Sequence, residues 1–189
     1  DWLLPLLLLI IVAIVSTFIY MSNPEIKLEM QQQQEKAMRE QFQKMVESGQ
    51  MTQQQVDEQL DKTAEMMNNP MIIYLIPSIS IFVIMLLWFF IFTTIAFLIS
   101  KFAFKGDGSY SQAMTAMGLP MYISVLQSII LVIVGLLMGK MLTGLNPASL
   151  TGMDIKTLPG FLLSRLDVFS IWFYIVVGIA FAKMFKSDN

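Results

Sequence analysis

Residues 71–100 run for about 30 positions without a charged side chain, and that run constrains everything else about the chain. As an α-helix it is about 45 Å long at about 1.5 Å per residue, whereas roughly 20 apolar residues suffice to cross a bilayer. It must therefore tilt, kink or project, and Pro77 offers a kink by withholding an N–H from the preceding turn. Three other apolar stretches qualify or nearly qualify: residues 2–21, 119–141 and 168–185, the last extended by 161–166 as a helix along the interface. In lipid the backbone must satisfy its own hydrogen bonds, which such runs do as helices. The expected fold class is all-α: a polytopic helical membrane protein of at least four spans.

Composition points the same way. The chain is 56% hydrophobic and only 14% charged, against about 25% charged for a soluble domain. A formal net charge of -2, with no basic stripe, gives no footprint for nucleic acid. Cysteine and histidine are both absent. That excludes disulfides, thiol catalysis, zinc sites built on Cys or His and histidine-ligated haem, and it removes the usual general base. The 16 methionines could ligate Cu(I) only if clustered. They are scattered, and read as adaptable packing. No enzyme, cofactor or metal is expected. Asp1 is followed at once by the apolar run, so an N-terminal segment is expected to precede it. Lacking a basic leader and an A-x-A site, and longer than a signal core, that run reads as a retained span.

Between the first two spans the chemistry changes. Residues 22–70 hold most of the charge and nearly all the glutamine, and read as an extramembrane helical hairpin. Ser22 and Glu25 have capping-box spacing with Pro24 in the first turn. Glu35–Arg39 and Glu40–Lys44 are i,i+4 pairs of the favoured orientation. Ser48 and Gly49 stop this helix, Thr52 and Gln55 cap the next, and Asn68, Asn69 and Pro70 end it. Met30, Ala37, Met38, Phe42, Met45 and Val46 form one apolar stripe; Val56, Leu60, Ala64 and Met67 form the other. The stripes either pack on each other or dock a partner, with Phe42 and Leu60 as the anchor residues. A helix lying on lipid fits an acidic hairpin less well.

Other motifs are weak. The turn Gly106, Asp107, Gly108, Ser109 lacks the lysine of a phosphate-binding loop, while Ser109 and Gln112 have capping-box spacing before a short helix toward Gly118. Gly135 and Gly139 make a GxxxG in the third span, and Gly178 with Ala182 a small-xxx-small pair in the fourth. Both suit close helix packing, within the chain or in a homo-oligomer. Lys140, Asp167 and Lys183 sit at span ends, which leaves span centres without the ionisable groups of a proton path. Gln127, Ser124 and Ser128 share one face, suited to interhelical hydrogen bonds.

Three stretches resemble the Yip domain family, the Ypt/Rab-interacting membrane proteins and their bacterial relatives: Trp2, Leu3, Leu4, Pro5; then Gly106 to Gln112 with Leu119 and Pro120; then Asp167 to Trp172 with Gly178 downstream. The resemblance implies five spans, a cytosolic N-terminus and no catalytic residues. A fifth span is then expected beyond residue 189, and the Gln-rich hairpin looks like an insert of bacterial relatives. It divides the chain into a first span (1–21), the hairpin (22–70) and a Yip-type domain with three further spans (71–189). Lys101, Lys105, Lys183 and Lys186 fall on one side, dense in short loops; the hairpin side holds more Lys and Arg by raw count. Short juxtamembrane loops weigh most, so the hairpin is expected outside the cytoplasm. The reading is a non-catalytic scaffold or interaction protein whose partners are the bilayer and other membrane proteins or itself. It would sit in a bacterial inner membrane, or in the ER or Golgi. Rival readings are a small accessory subunit of a larger complex and a channel or carrier.

Overall fold

The computed structural model describes residues 1–66, 69, 71–142 and 144–185. Met67, Asn68, Pro70 and Lys186, used above, lie outside them, as does the side chain of Ala64. Among the described residues every regular element is helical.

Helix α1 (Leu3–Ser22) is apolar throughout. The chain then breaks at Asn23, whose Oδ1 accepts from the N–H groups of Glu25 (3.0 Å) and Ile26 (3.2 Å). Asn23, not Ser22, therefore caps α2 (Pro24–Glu47). The Ser22 hydroxyl is turned back onto the Phe18 carbonyl, inside α1. Helix α2 stops at Ser48, with Gly49 at φ 73°. Thr52 and Gln55 exchange reciprocal hydrogen bonds at 2.9 and 3.3 Å, the expected capping box, to start α3 (Gln53–Met66). Helices α2 and α3 pack on each other. Val56 and Leu60 are buried, and Met38, Phe42, Met45 and Val46 are half-buried, while Ala37 is exposed. Of the two ion pairs expected on α2, Glu35–Arg39 closes at 2.8 Å; among the described residues it is the only one.

The long apolar run is a continuous helical stretch, Met71–Ala103. It opens and closes in π-helical turns, Met71–Leu75 and Ile99–Ala103, around α4 (Ile76–Leu98). The first π turn ends two residues before Pro77, a residue that cannot donate to the turn before it. Ser109 and Gln112 form the expected capping box of α5 (Tyr110–Gly118). Leu119 and Pro120 separate it from α6 (Met121–Met138), which ends at Gly139 in the left-handed region, φ 64°. Two short helices follow, α7 (Pro147–Thr151) and α8 (Leu158–Ser164), and then α9 (Val168–Met184).

Ring and glycine contacts fix the packing direction. Trp2, at the start of α1, lies 2.6 Å from where a Cβ on Gly118 would stand. Tyr20, at the other end, donates its hydroxyl to the Leu131 carbonyl of α6 at 3.1 Å. Helices α1 and α6 are therefore parallel. Trp2 stacks on Phe89 at 5.2 Å and Phe18 on Tyr74 at 4.9 Å, so α4 runs antiparallel to α1. Phe185, at the end of α9, fills the space beside Gly106 and Gly108. The 104–109 turn and Phe185 thus lie at one end of the bundle, Trp2 and Gly118 lie about 20 Å of helix further in, level with Phe89, and α2 and α3 leave from the other end. The core joins these helices through Leu6, Ile10, Phe89, Ala116, Met117 and Phe181.

Among the described residues three helices are long and apolar enough to cross a membrane: Leu3–Ser22, Met71–Ala103 and Tyr110–Met138, the last including α5. The pair α8 and α9 makes a fourth if it is one broken span, since the two are bent by 53°.

Candidate functional site

The polar chemistry of the bundle converges on Asp167. This residue follows α8 with an extended backbone (φ -99°, ψ 115°), the conformation of a helix cap. Its Oδ1 accepts from the backbone N–H groups of Phe169 at 2.9 Å and Ser170 at 3.2 Å, opening α9. Its Oδ2 accepts from Gln127 Nε2 at 2.8 Å and from the Leu145 N–H at 3.1 Å. Two donors thus meet each carboxylate oxygen, the number its lone pairs can accept. The side chain is only 5% exposed, and a buried carboxylate is tolerable when its oxygens are hydrogen-bonded in this way. The N-terminal dipole of α9 adds to that stabilisation.

Asp167 ties three parts of the chain together: α6, the turn after it, and α9. The turn is made tight by Gly144, where an added Cβ would lie 2.6 Å from Asn146 Nδ2 and 3.3 Å from Asp167 Oδ2. Asn146 in turn caps α7, accepting from the Ser149 N–H at 2.9 Å. Gln127 lies about 16 Å of helix before α6 ends at Met138. The carboxylate is therefore at the end of its own helix but deep against its neighbour. Asp167 thus sits at a span end and caps its helix, as the sequence placed it, while its second oxygen reaches Gln127 of α6. The shared face read on α6 also divides: Gln127 bonds another helix, while Ser128 returns its hydroxyl to the Ser124 carbonyl of its own.

The other expected contact residues do not meet here. Phe42 and Leu60 belong to the α2–α3 pair. Gly135 faces α1, with Tyr20 Oη 2.6 Å from the position of an added Cβ. Gly139 is the C-cap of α6 and lies outside its helical surface, so the two glycines do not form a GxxxG stripe. Among the described residues nothing lies within 4 Å of a Cβ added at Gly178, so its small size serves no contact with them. In the Gly106–Gln112 segment Gly108 makes room for Phe185, and the Tyr110 hydroxyl meets that of Thr94 at 3.0 Å. An apolar cavity of about 270 Å³ opens between α1, α4, α6 and α9, lined by Leu6, Trp88, Phe89, Met121, Phe173 and Val177 among others. Among the described residues no three His, Cys, Asp or Glu side chains come together as a metal site would need.

Sequence reasoning missed Tyr20, Asn23 and the depth of Asp167. Asn23 before Pro24 was a readable cap signal. The reach of Asp167 to Gln127 spans 40 positions, for which no local pattern exists. A bundle of long apolar helices fastened by one carboxylate defines a helical membrane protein. No family model, curated protein or solved structure matches the chain.

Proposed function

We propose that this chain is a non-catalytic integral membrane protein of the Yip type that acts as a scaffold or interaction protein. The observation that carries the reading is Asp167. A carboxylate that accepts two cap hydrogen bonds, one from Gln127 and one from Leu145 has no free lone pair for acid–base work. It acts as a fastener, and the membrane-embedded part is then a rigid frame for what it displays. The α2–α3 hairpin, outside the bilayer on the non-cytoplasmic side, and the open face of α9 are the displayed parts. The resemblance carried by Trp2, the 106–112 turn and the 167–172 segment supports the family assignment. A bacterial inner membrane suits the insert-bearing form.

Native mass spectrometry on gently solubilised membranes tests this. The reading expects the chain in a complex with itself or another membrane protein. Gly178→Leu has room in the single chain and should remove that complex without unfolding the bundle. A monomer under all mild conditions, or turnover of a substrate that Asp107 or Asp167 variants lose while still folded, would refute the scaffold reading.

A further inference from the structure

A second cavity, about 390 Å³, lies where α1, α2 and the start of α4 diverge. Its walls differ in kind. Lys27, Gln31 and Gln34 of α2, with Met30, line one side; Met21, Ile72, Ile73 and Pro77, with Thr17 and Met141, line the rest. Lys27 is the only charged side chain in the lining. Of its acidic neighbours on α2, Glu29 accepts through Oε1 from Gln33 Nε2 at 3.1 Å, and neither Glu25 nor Glu29 pairs with Lys27. Among the described residues Lys27 has no ion pair. The apolar wall leads onto a strip of α4 open to the surroundings, with Ile76 53% and Ile79 55% exposed.

We infer that this cleft holds one anionic phospholipid. The polar wall belongs to α2, where the sequence turns charged; the apolar wall belongs to the two spans. A ligand matching both carries a negative head and a long apolar tail. The Lys27 ammonium and the Gln31 and Gln34 amides are donors suited to a phosphate and its glycerol oxygens. The exposed α4 strip takes an acyl chain. A cavity of this volume lies within the range of small-ligand sites, so it holds the head and first methylenes while the rest of the chain stays in the bilayer.

The test is lipid exchange followed by native mass spectrometry of the full chain. Phosphatidylglycerol and phosphatidylcholine of matched acyl length are offered together, and inorganic phosphate is offered separately. The wild type should retain one phosphatidylglycerol in preference to phosphatidylcholine, and phosphate alone should not displace it. Lys27→Gln should reduce that preference about five-fold, the effect of one basic side chain at an anionic headgroup. Lys36→Gln, on the same helix but outside the cleft, should leave the preference unchanged. Ile73→Trp should fill the apolar wall and abolish retention of both lipids, with helicity by circular dichroism confirming that the bundle stands. Equal retention of the two lipids by the wild type would overturn the inference. So would displacement by phosphate, a Lys36→Gln effect as large as that of Lys27→Gln, or undiminished retention by folded Ile73→Trp.

Discussion

Replacing Asp167 with asparagine changes one atom in a site where every hydrogen bond has a fixed direction. If the asparagine oxygen takes the place of Oδ1, the two cap bonds to Phe169 and Ser170 survive. The new NH₂ then stands where Oδ2 accepted from Gln127 and Leu145. Gln127 can rotate its amide and present oxygen instead of nitrogen. The Leu145 backbone N–H cannot, and is left facing another donor in a buried site. One unsatisfied buried donor costs about 1–3 kcal/mol, so Asp167→Asn should lose about 2 kcal/mol. Asp167→Ala also loses the cap, worth about 1 kcal/mol, and the Gln127 acceptor, for about 3–5 kcal/mol in all. Unfolding by sodium dodecyl sulfate in mixed micelles, followed by circular dichroism, gives both values. The order wild type, Asn, Ala is the expected result. A folded Asp167→Asn protein within about 0.5 kcal/mol of wild type would refute the four-donor account.

Two further substitutions test packing. Leu60 is 8% exposed; Leu60→Ala should lower the helicity of the α2–α3 pair and cost about 2 kcal/mol, whereas unchanged helicity would mean the stripe is not buried between the helices. Gly135→Ala drives a methyl into Tyr20 Oη and should cost about 1–3 kcal/mol. Tyr20→Phe alone should cost about 1 kcal/mol through the lost bond to Leu131, and the two together less than their sum; strict additivity in the same micelle unfolding assay would separate the sites.

The local signals were legible because they depend on neighbours in sequence. The Thr52–Gln55 and Ser109–Gln112 boxes form where their spacing placed them, and the Gly49 stop adopts the positive φ expected of it. The apolar runs are helices. The errors arise where a residue type has two uses. Gly139 has the spacing of a packing glycine but serves as a left-handed cap, a choice set by where α6 ends. Ser22 competes with Asn23 for one cap and loses because its hydroxyl finds the Phe18 carbonyl of the helix it terminates. The depth of Asp167 depends on the chain folding back after Gly139, so that residue 145 and residue 127 reach one carboxylate. Nothing within a span-length window of sequence carries that information. The mixed lining of the Lys27 cleft is likewise a product of three helices diverging.

Helices α2 and α3 leave one end of the apolar bundle, and the 104–109 turn lies at the other. The chain has no cysteine, so single cysteines report without background. Gln53, at the start of α3, and Asp107 are both exposed, and Asp107 is preferable to Gly108, where any side chain would strike Phe185. An impermeant maleimide applied to intact cells should label Gln53→Cys and leave Asp107→Cys unlabelled until the membrane is opened. Labelling of both from the same side would contradict the account.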